Sequence, residues 1–403
     1  MNILFLSELF YPHGGGAELA TYLYAKLLAE AEMNVVVVTN RFGEEPEFSR
    51  SEGFVVYRLP LFKKGASVKY SALQRFDVLL SSFMRKWLKW ADVIYVPRFW
   101  FSVVPVAKAM GKPVVVHLHD YIPICPLAVL YDFRGDKICD KDGLCSVSCI
   151  YAYERNRKRG LVGTAGSTFL NLTVYALLKR FVEYSDAIIC VSKAQRNTIV
   201  KYSPSLTDKI RVIYNPMPSL LPIKMDGDDF GYFGGSNIMK GFRVLCNAMK
   251  MLNDSSIRVR GVNFSRMNVQ LARFLRQLNI WPSAKLGYDE MGAFYTWIRC
   301  VVVPSVVAET FSYVVSEAIL RGRIVIASNI GGIPEQVNGC KGVYLFDAGN
   351  AEQLAEKIRY VSSLCMEEAI RLGIHNHETF TAIFNNHKTL KKFLKMCEGL
   401  VKK

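Results

Sequence analysis

The sequence predicts an α/β protein built from two doubly wound, parallel-sheet domains. Three observations predict it. Short, fully apolar runs alternate with helical patterns through the first half, a proline- and aspartate-rich stretch interrupts them near residue 222, and the same alternation then restarts. At 403 residues the chain is also too long for one ordinary core, since single domains usually hold about 100 to 200 residues.

In the first half the apolar runs are NILFLSELF, NVVVVTN, FVVYRLP, DVIYVP, PVVVHLHD, DAIICVS and KIRVIYNP, with a helix expected from about Gly16 to Glu32 after the first of them. Runs this apolar are buried on both faces, which is the mark of a parallel sheet covered by helices. The stretch PMPSLLPIKMDGDD after Asn215 reads as a linker. Beyond it FGYFGGS, SIRVRGVNF, CVVVPS, RIVIASN and GVYLFD repeat the pattern. The expected division is therefore residues 1–222, 223–378 and a terminal helix over 379–403 that packs back on the first domain. Open sheets bind ligands beyond the carboxyl ends of their strands, so two such sheets facing each other imply a central cleft.

Hydrophobic residues make up 51% of the chain and charged residues 21%, which is globular composition. No unbroken apolar run reaches the roughly 18 to 20 residues of a bilayer span, and the start lacks the basic region of a signal peptide, so a cytoplasmic location is expected. The net charge of +16 attracts an anionic ligand or surface without choosing among them. Ten cysteines in a long chain without an export signal read mainly as core thiols. Cys125, Cys139, Cys145 and Cys149 cluster in one loop-like segment, where a structural zinc is the alternative, although the spacing is not a standard CxxC pair.

The chemistry concentrates in PSVVAETFSYVVSEAILRG, from Pro304 to Gly322. A buried strand ends at Pro304, Ser312 is placed to cap a helix, and Gly322 to end it. Glu309 then lies in the loop before the helix and Glu317 within it, the only charge among apolar neighbours. A buried carboxylate needs a partner. Vicinal sugar hydroxyls would serve, as would a core lysine or arginine, while amides at the helix start can hold a diphosphate. In YFGGSNIMKGF, Lys240 stands at a helix start where a cation and amides would neutralise a diphosphate. It is not a Walker loop. In FYPHGGGAEL a glycine turn follows the first strand and opens a helix, as an anion-holding loop does. A dinucleotide fold is the rival, and against it GxGxxG fails at Leu19 and Asn40 and Arg41 stand where an acidic residue is wanted. In VVVHLHDY, His119 and Asp120 fall at a strand's carboxyl end, and His117 reads as a core histidine.

With these residues in view, the chain resembles glycosyltransferase family 4, retaining enzymes of the GT-B fold. Glu309 and Glu317 match the family's Glu-x7-Glu pattern, and the resemblance continues through GRIVIASNIGGIPEQV and Glu335. The resemblance implies that Glu317 binds the donor ribose and that Glu309, with Thr310, Phe311 and Ser312, binds the donor sugar. Gly15 and Gly16 match the glycine loop over the donor phosphate and acceptor, and His119 the His-Asp loop near the sugar. Catalytic roles thus fall on His119 and Glu309, and donor binding on Gly15, Gly16, Lys240, Thr310, Phe311, Ser312 and Glu317. Two positions depart from pattern. Ser312 replaces a usual glycine, and Gly235 replaces the phosphate-binding arginine of Gly-Arg-x4-Lys-Gly, for which Arg243 is a candidate substitute.

The resemblance implies transfer of a hexose from a UDP- or GDP-sugar to a glycan or lipid-linked acceptor, with no metal or other cofactor. The stretch DGDD from Asp226 to Asp229 is read as linker rather than metal motif. Residues 70–90, with Phe76, Leu80, Phe83 and Trp87 among Arg75, Arg85, Lys86 and Lys89, read equally as a basic interfacial helix or as a core helix with a solvated edge. ERNRKRG at 154–160 adds cations, so peripheral docking on the anionic inner face of a cell membrane is expected. No nucleic-acid motif accompanies the basic residues. The alternatives are a degenerate sugar-nucleotide-binding or scaffold subunit and a sugar-nucleotide epimerase.

Overall fold

Runs of β-branched residues without charges form strands here because each side chain meets helices on one face or the other. The computed structural model describes residues 1–61, 76–139, 147–157, 160–264 and 267–402. The chain divides into two units, Met1–Gly135 with Asp140–Met217 and Asn385–Lys403, and Asp136–Cys139 with Pro218–Phe384.

The large sheet of the first unit contains β1 (Asn2–Leu6), β2 (Asn34–Asn40), β3 (Phe48–Ser51), β4 (Phe54–Leu59), β5 (Val93–Val96), β6 (Val114–Leu118), β7 (Ala187–Cys190) and β8 (Ile210–Val212). Their order is β8-β7-β6-β5-β1-β2-β4-β3. Every neighbouring pair is parallel except β3 with β4. The chain moves outward from β1 in one direction and then resumes at β5 on its other side, which makes the ends of β1 and β5 a switch point. Among the described residues, the helices of this unit before the linker are α1 (Gly16–Glu30), α2 (Phe76–Leu80), α3 (Ser82–Trp90), α4 (Val103–Ala109), α5 (Val147–Asn156), α6 (Leu161–Tyr184) and α7 (Lys193–Tyr202).

The second unit has β9 (Asp229–Tyr232), β10 (Val259–Gly261), β11 (Ile280–Pro282), β12 (Ile298–Val303), β13 (Ile324–Ser328) and β14 (Val343–Phe346). All pairs are parallel in the order β11-β10-β9-β12-β13-β14. Within the unit this is 3-2-1-4-5-6, the doubly wound order whose switch point lies between β9 and β12. Its helices are α8 (Phe242–Leu252), α9 (Val269–Gln277), α10 (Tyr288–Thr296), α11 (Tyr313–Leu320), α12 (Ile333–Gln336), α13 (Ala351–Ser363) and α14 (Met366–Ile383). The last helix, α15 (Asn386–Val401), belongs to the first unit. Its buried Phe393 packs 5.2 Å from the Tyr24 ring and 5.5 Å from that of Tyr95.

Two expectations meet a physical answer. Of residues 70–90, 70–75 lie outside the described residues. In the rest, Leu79, Met84 and Leu88 are buried and the Phe83 and Trp87 rings each lie 5.2 Å from Tyr57. Apart from Leu80, which is exposed, these apolar side chains meet protein. No unbroken apolar run reaches the length of a bilayer span, yet by length and composition the 24 residues of helix α6 are enough to cross one. Counting unbroken apolar residues missed it: Thr, Ser and Asn interrupt the run without adding charge.

Candidate active site

The switch point of the second sheet is built from two strand ends. After β9 the chain turns through Gly234 and Gly235, and after β12 it runs through Pro304 and Ser305. The Asn237 side chain accepts from the Met239 amide at 2.9 Å and starts the short turn that carries Lys240. Gly241 has φ +78, and a Cβ there would collide with the Pro304 carbonyl. That close approach, with the Met239 carbonyl accepting from the Val306 amide at 3.0 Å, draws the two loops together. Lys240 Nζ consequently reaches Glu309 Oε1 at 2.6 Å, and Ser305 Oγ donates to the same oxygen at 2.8 Å. Among the described residues, Glu309 Oε2 keeps its acceptor capacity. The Glu309 carbonyl accepts from the Gly332 amide at 2.6 Å, and Gly331, at φ +60, leaves no room for a side chain against that carbonyl. Gly234, Lys240, Ser305, Glu309, Ser312 and Val314 line one pocket.

Ser312 caps α11, its Oγ accepting from Val315 at a long 3.5 Å. Its own amide donates to Gln336 Oε1 at 2.7 Å, so Gln336 holds the helix start. Glu317 lies one turn in. Burial pushes its carboxyl up to about 7 against the pull of Arg321. Among the described residues no lysine or arginine forms an ion pair with it, and the Arg321 guanidinium sits over the Tyr295 ring at 4.9 Å. A core ion pair therefore does not account for Glu317. Thr310 and Phe311 are buried outside the pocket lining, and the Phe311 ring packs with Tyr313 and Phe384. Gly235 has φ +54, and a Cβ would collide with the Asn263 carbonyl. Arg243 pairs with Asp136.

In the first unit the glycine turn leads into α1. The Gly15 amide donates to Glu18 Oε2 at 2.7 Å, and Glu18 Oε1 meets Arg98 Nε at 2.9 Å. Gly16 is the first helical residue. The turn that follows β1 is thus tied to Arg98, just past β5. His117 is buried and bonded through Nδ1 to the Tyr95 hydroxyl, and burial takes its pKa down to about 3. The His119 ring lies tilted 4.2 Å from it and is half-buried. Burial first, then His117 and Arg98, hold it well below the usual histidine range, so its imidazole is neutral. Its loop is clamped by buried Gln195, whose Nε2 donates to the Leu118 carbonyl at 3.1 Å and the Asp120 carbonyl at 2.9 Å.

Sequence reasoning missed Gln195 and Gln336, whose partners are distant in sequence. It also missed Glu8, just past β1. Glu8 is 1% exposed, and among the described residues no side chain hydrogen-bonds its carboxyl oxygens. Burial pushes its carboxyl up to about 8, only partly offset by its own backbone amide, by Arg98 and by the Phe99 amide. The acid among apolar residues in NILFLSELF was the available signal. Cys125 and Cys149 are buried and Cys139 is half-buried, and Cys145 lies outside the described residues. Among the described residues no three histidine, cysteine or acidic side chains group as metal ligands.

The family model described as Glycosyltransferase Family 4 matches residues 14–218, more than half of the chain, and that of Glycosyl transferases group 1 matches residues 227–363. The chain belongs to glycosyltransferase family 4. A relative of this family-4 glycosyltransferase, an uncharacterised glycosyltransferase of Methanocaldococcus jannaschii, is 27% identical over 71% of this chain and 84% of its own. Among solved structures, sucrose-phosphate synthase from Thermosynechococcus elongatus aligns with TM-score 0.73 at 16% identity, covering 99% of both chains. Anabaena HepE, in complex with UDP and glucose, aligns with TM-score 0.69 at 17% identity, again over 99% of both. These likenesses establish the GT-B fold, two Rossmann-like domains.

Proposed function

We propose that this family-4 glycosyltransferase moves a hexose from a UDP- or GDP-sugar to a glycan or lipid-linked acceptor and keeps the anomeric configuration. The observation that carries the reading is Glu309, held by Lys240 and Ser305 at the strand ends of the second sheet with one oxygen left to accept. In this reading Glu309 orients the donor sugar, and Lys240 with the turn after Gly234 neutralises the diphosphate. Glu317, without a protein counter-ion, accepts from the ribose hydroxyls. Thr310, Phe311 and Ser312 shape the sugar pocket through their backbone. In the first unit, Gly15, Gly16 and neutral His119 serve the sugar and acceptor.

The bond from the anomeric carbon to the diphosphate oxygen breaks, the acceptor oxygen bonds on the same face, and the acceptor proton passes to the departing diphosphate. Lys240 supplies the charge that a metal supplies elsewhere, so EDTA is expected to leave the rate unchanged. UDP as the base is supported by the UDP-bound relative of the same fold. The basic surface supports an acceptor on an anionic membrane at the cytoplasmic face, in polysaccharide assembly.

The test is donor-dependent release of UDP or GDP with native membrane extract, with the product anomer read by NMR. Glu317→Ala is expected to lower kcat/KM about a hundredfold. An active enzyme indifferent to that change overturns the site, and an inverted product overturns retention. Gly235 favours a second reading, a sugar-nucleotide-binding subunit, since the turn excludes the arginine and Arg243 is engaged elsewhere. That reading predicts donor binding without release, and an epimerase predicts turnover without acceptor.

A further inference from the structure

Helix α6 is built inside out. Its inward residues include Thr164, Thr168 and Asn171, where Thr168 Oγ1 donates to the Thr164 carbonyl at 2.8 Å and Asn171 Nδ2 to Glu154 Oε1 at 2.7 Å. Its outward face carries Leu161, Val162, Phe169, Leu170 and Leu177, with Val162 88% and Phe169 73% exposed. A surface helix of a water-bathed protein has the reverse arrangement. Residues 161–178 carry no charge at all, along about 27 Å of helix.

We propose that this face of α6 lies in the surface of an anionic lipid bilayer. The proposal rests on the membrane-side reading of function and names the element that makes the contact. Charge selects the occupant. Arg155 and Arg157 are exposed just ahead of the helix and Arg180 is exposed near its end. The two carboxylates of α5 and α6 are both taken, Glu154 by Asn171 and Glu183 by Lys179 at 3.9 Å. An apolar stripe with cations at both ends and no unpaired acid complements anionic head groups over acyl chains. Spanning is excluded by the inward face, since Thr164, Asn171, Leu178 and Val182 are buried in the first unit.

The experiment uses the full chain and flotation with vesicles of phosphatidylcholine alone or mixed with phosphatidylglycerol. Binding to the mixed vesicles is expected, falling about tenfold or more with neutral vesicles, with Phe169→Glu plus Leu177→Glu, and with Arg155→Glu plus Arg157→Glu. Unchanged melting temperatures verify folding, and Val162→Ser gives a milder variant with a smaller loss. Undiminished flotation of the Phe169→Glu plus Leu177→Glu variant overturns the proposal. So does light scattering that shows a wild-type dimer made monomeric by that variant, which would make the face an interface between copies. Donor-dependent nucleotide release with a detergent-solubilised acceptor is read separately. Release without flotation overturns this inference alone, and flotation without release overturns the functional reading alone.

Discussion

At the scale of single residues, buried charge and glycine geometry decide what the site can do. Gly235 shows why the family's phosphate-binding arginine is absent: at φ +54 against the Asn263 carbonyl, any side chain strains the turn. Gly235→Arg is therefore expected to cost about 1–3 kcal/mol in urea unfolding without tightening donor binding in a titration. Glu8 predicts a pH dependence of stability. Its native carboxyl, raised to about 8 from the ordinary 4.5, keeps a proton that the unfolded chain gives up. Its contribution is fully present below pH 4.5 and is lost as pH rises towards 8, a difference of a few kcal/mol at most. Glu8→Gln, which mimics the neutral acid, is expected to flatten the fall in stability between pH 5 and 8 followed by denaturant unfolding. Glu317 was legible from the sequence as the lone charge in an apolar helix. Glu8 stood in an equally apolar run, but nothing local told that its carboxyl would be so fully removed from water.

At the scale of elements, helix starts hold the candidate site, and that of α11 is fastened by a side chain from elsewhere. Ser312 illustrates this, since it caps α11 through a long bond while its amide is held by Gln336. Ser312→Ala is expected to cost about 0.5–1 kcal/mol in chemical denaturation, and Ser312→Gly, the residue usual in the family, only a few tenths. A larger loss with glycine than with alanine would refute the cap as the reason for serine. The cap and the stop at Gly322 were readable because both follow from local backbone chemistry. The residues near Trp87 were ambiguous because periodicity shows that a face is apolar without showing what it meets, and here it meets Tyr57. In α6 the apolar face points away from its own unit, which no periodicity reveals.

At the scale of the whole molecule, two parallel sheets each bring strand ends from distant parts of the chain to a switch point, and the last helix completes the first unit's core. Phe393→Ala in α15 is expected to cost about 3–5 kcal/mol, read as a lower melting temperature and as faster amide exchange in α1 and β5, whose Tyr24 and Tyr95 flank its ring. Unchanged exchange there would show that α15 adds little to that core. The sequence by itself determined the α/β class, the repeated sheet pattern and the motif residues, because strand burial, capping and glycine turns are written in short windows. Only the tertiary structure decided that Lys240 meets Glu309, that Glu18 ties the glycine turn to Arg98, that Gln195 clamps the His119 loop and that α6 turns its leucines outward. Those facts depend on which distant strand ends and helix faces come together, and hydrogen bonding and burial across such contacts have no period in the sequence.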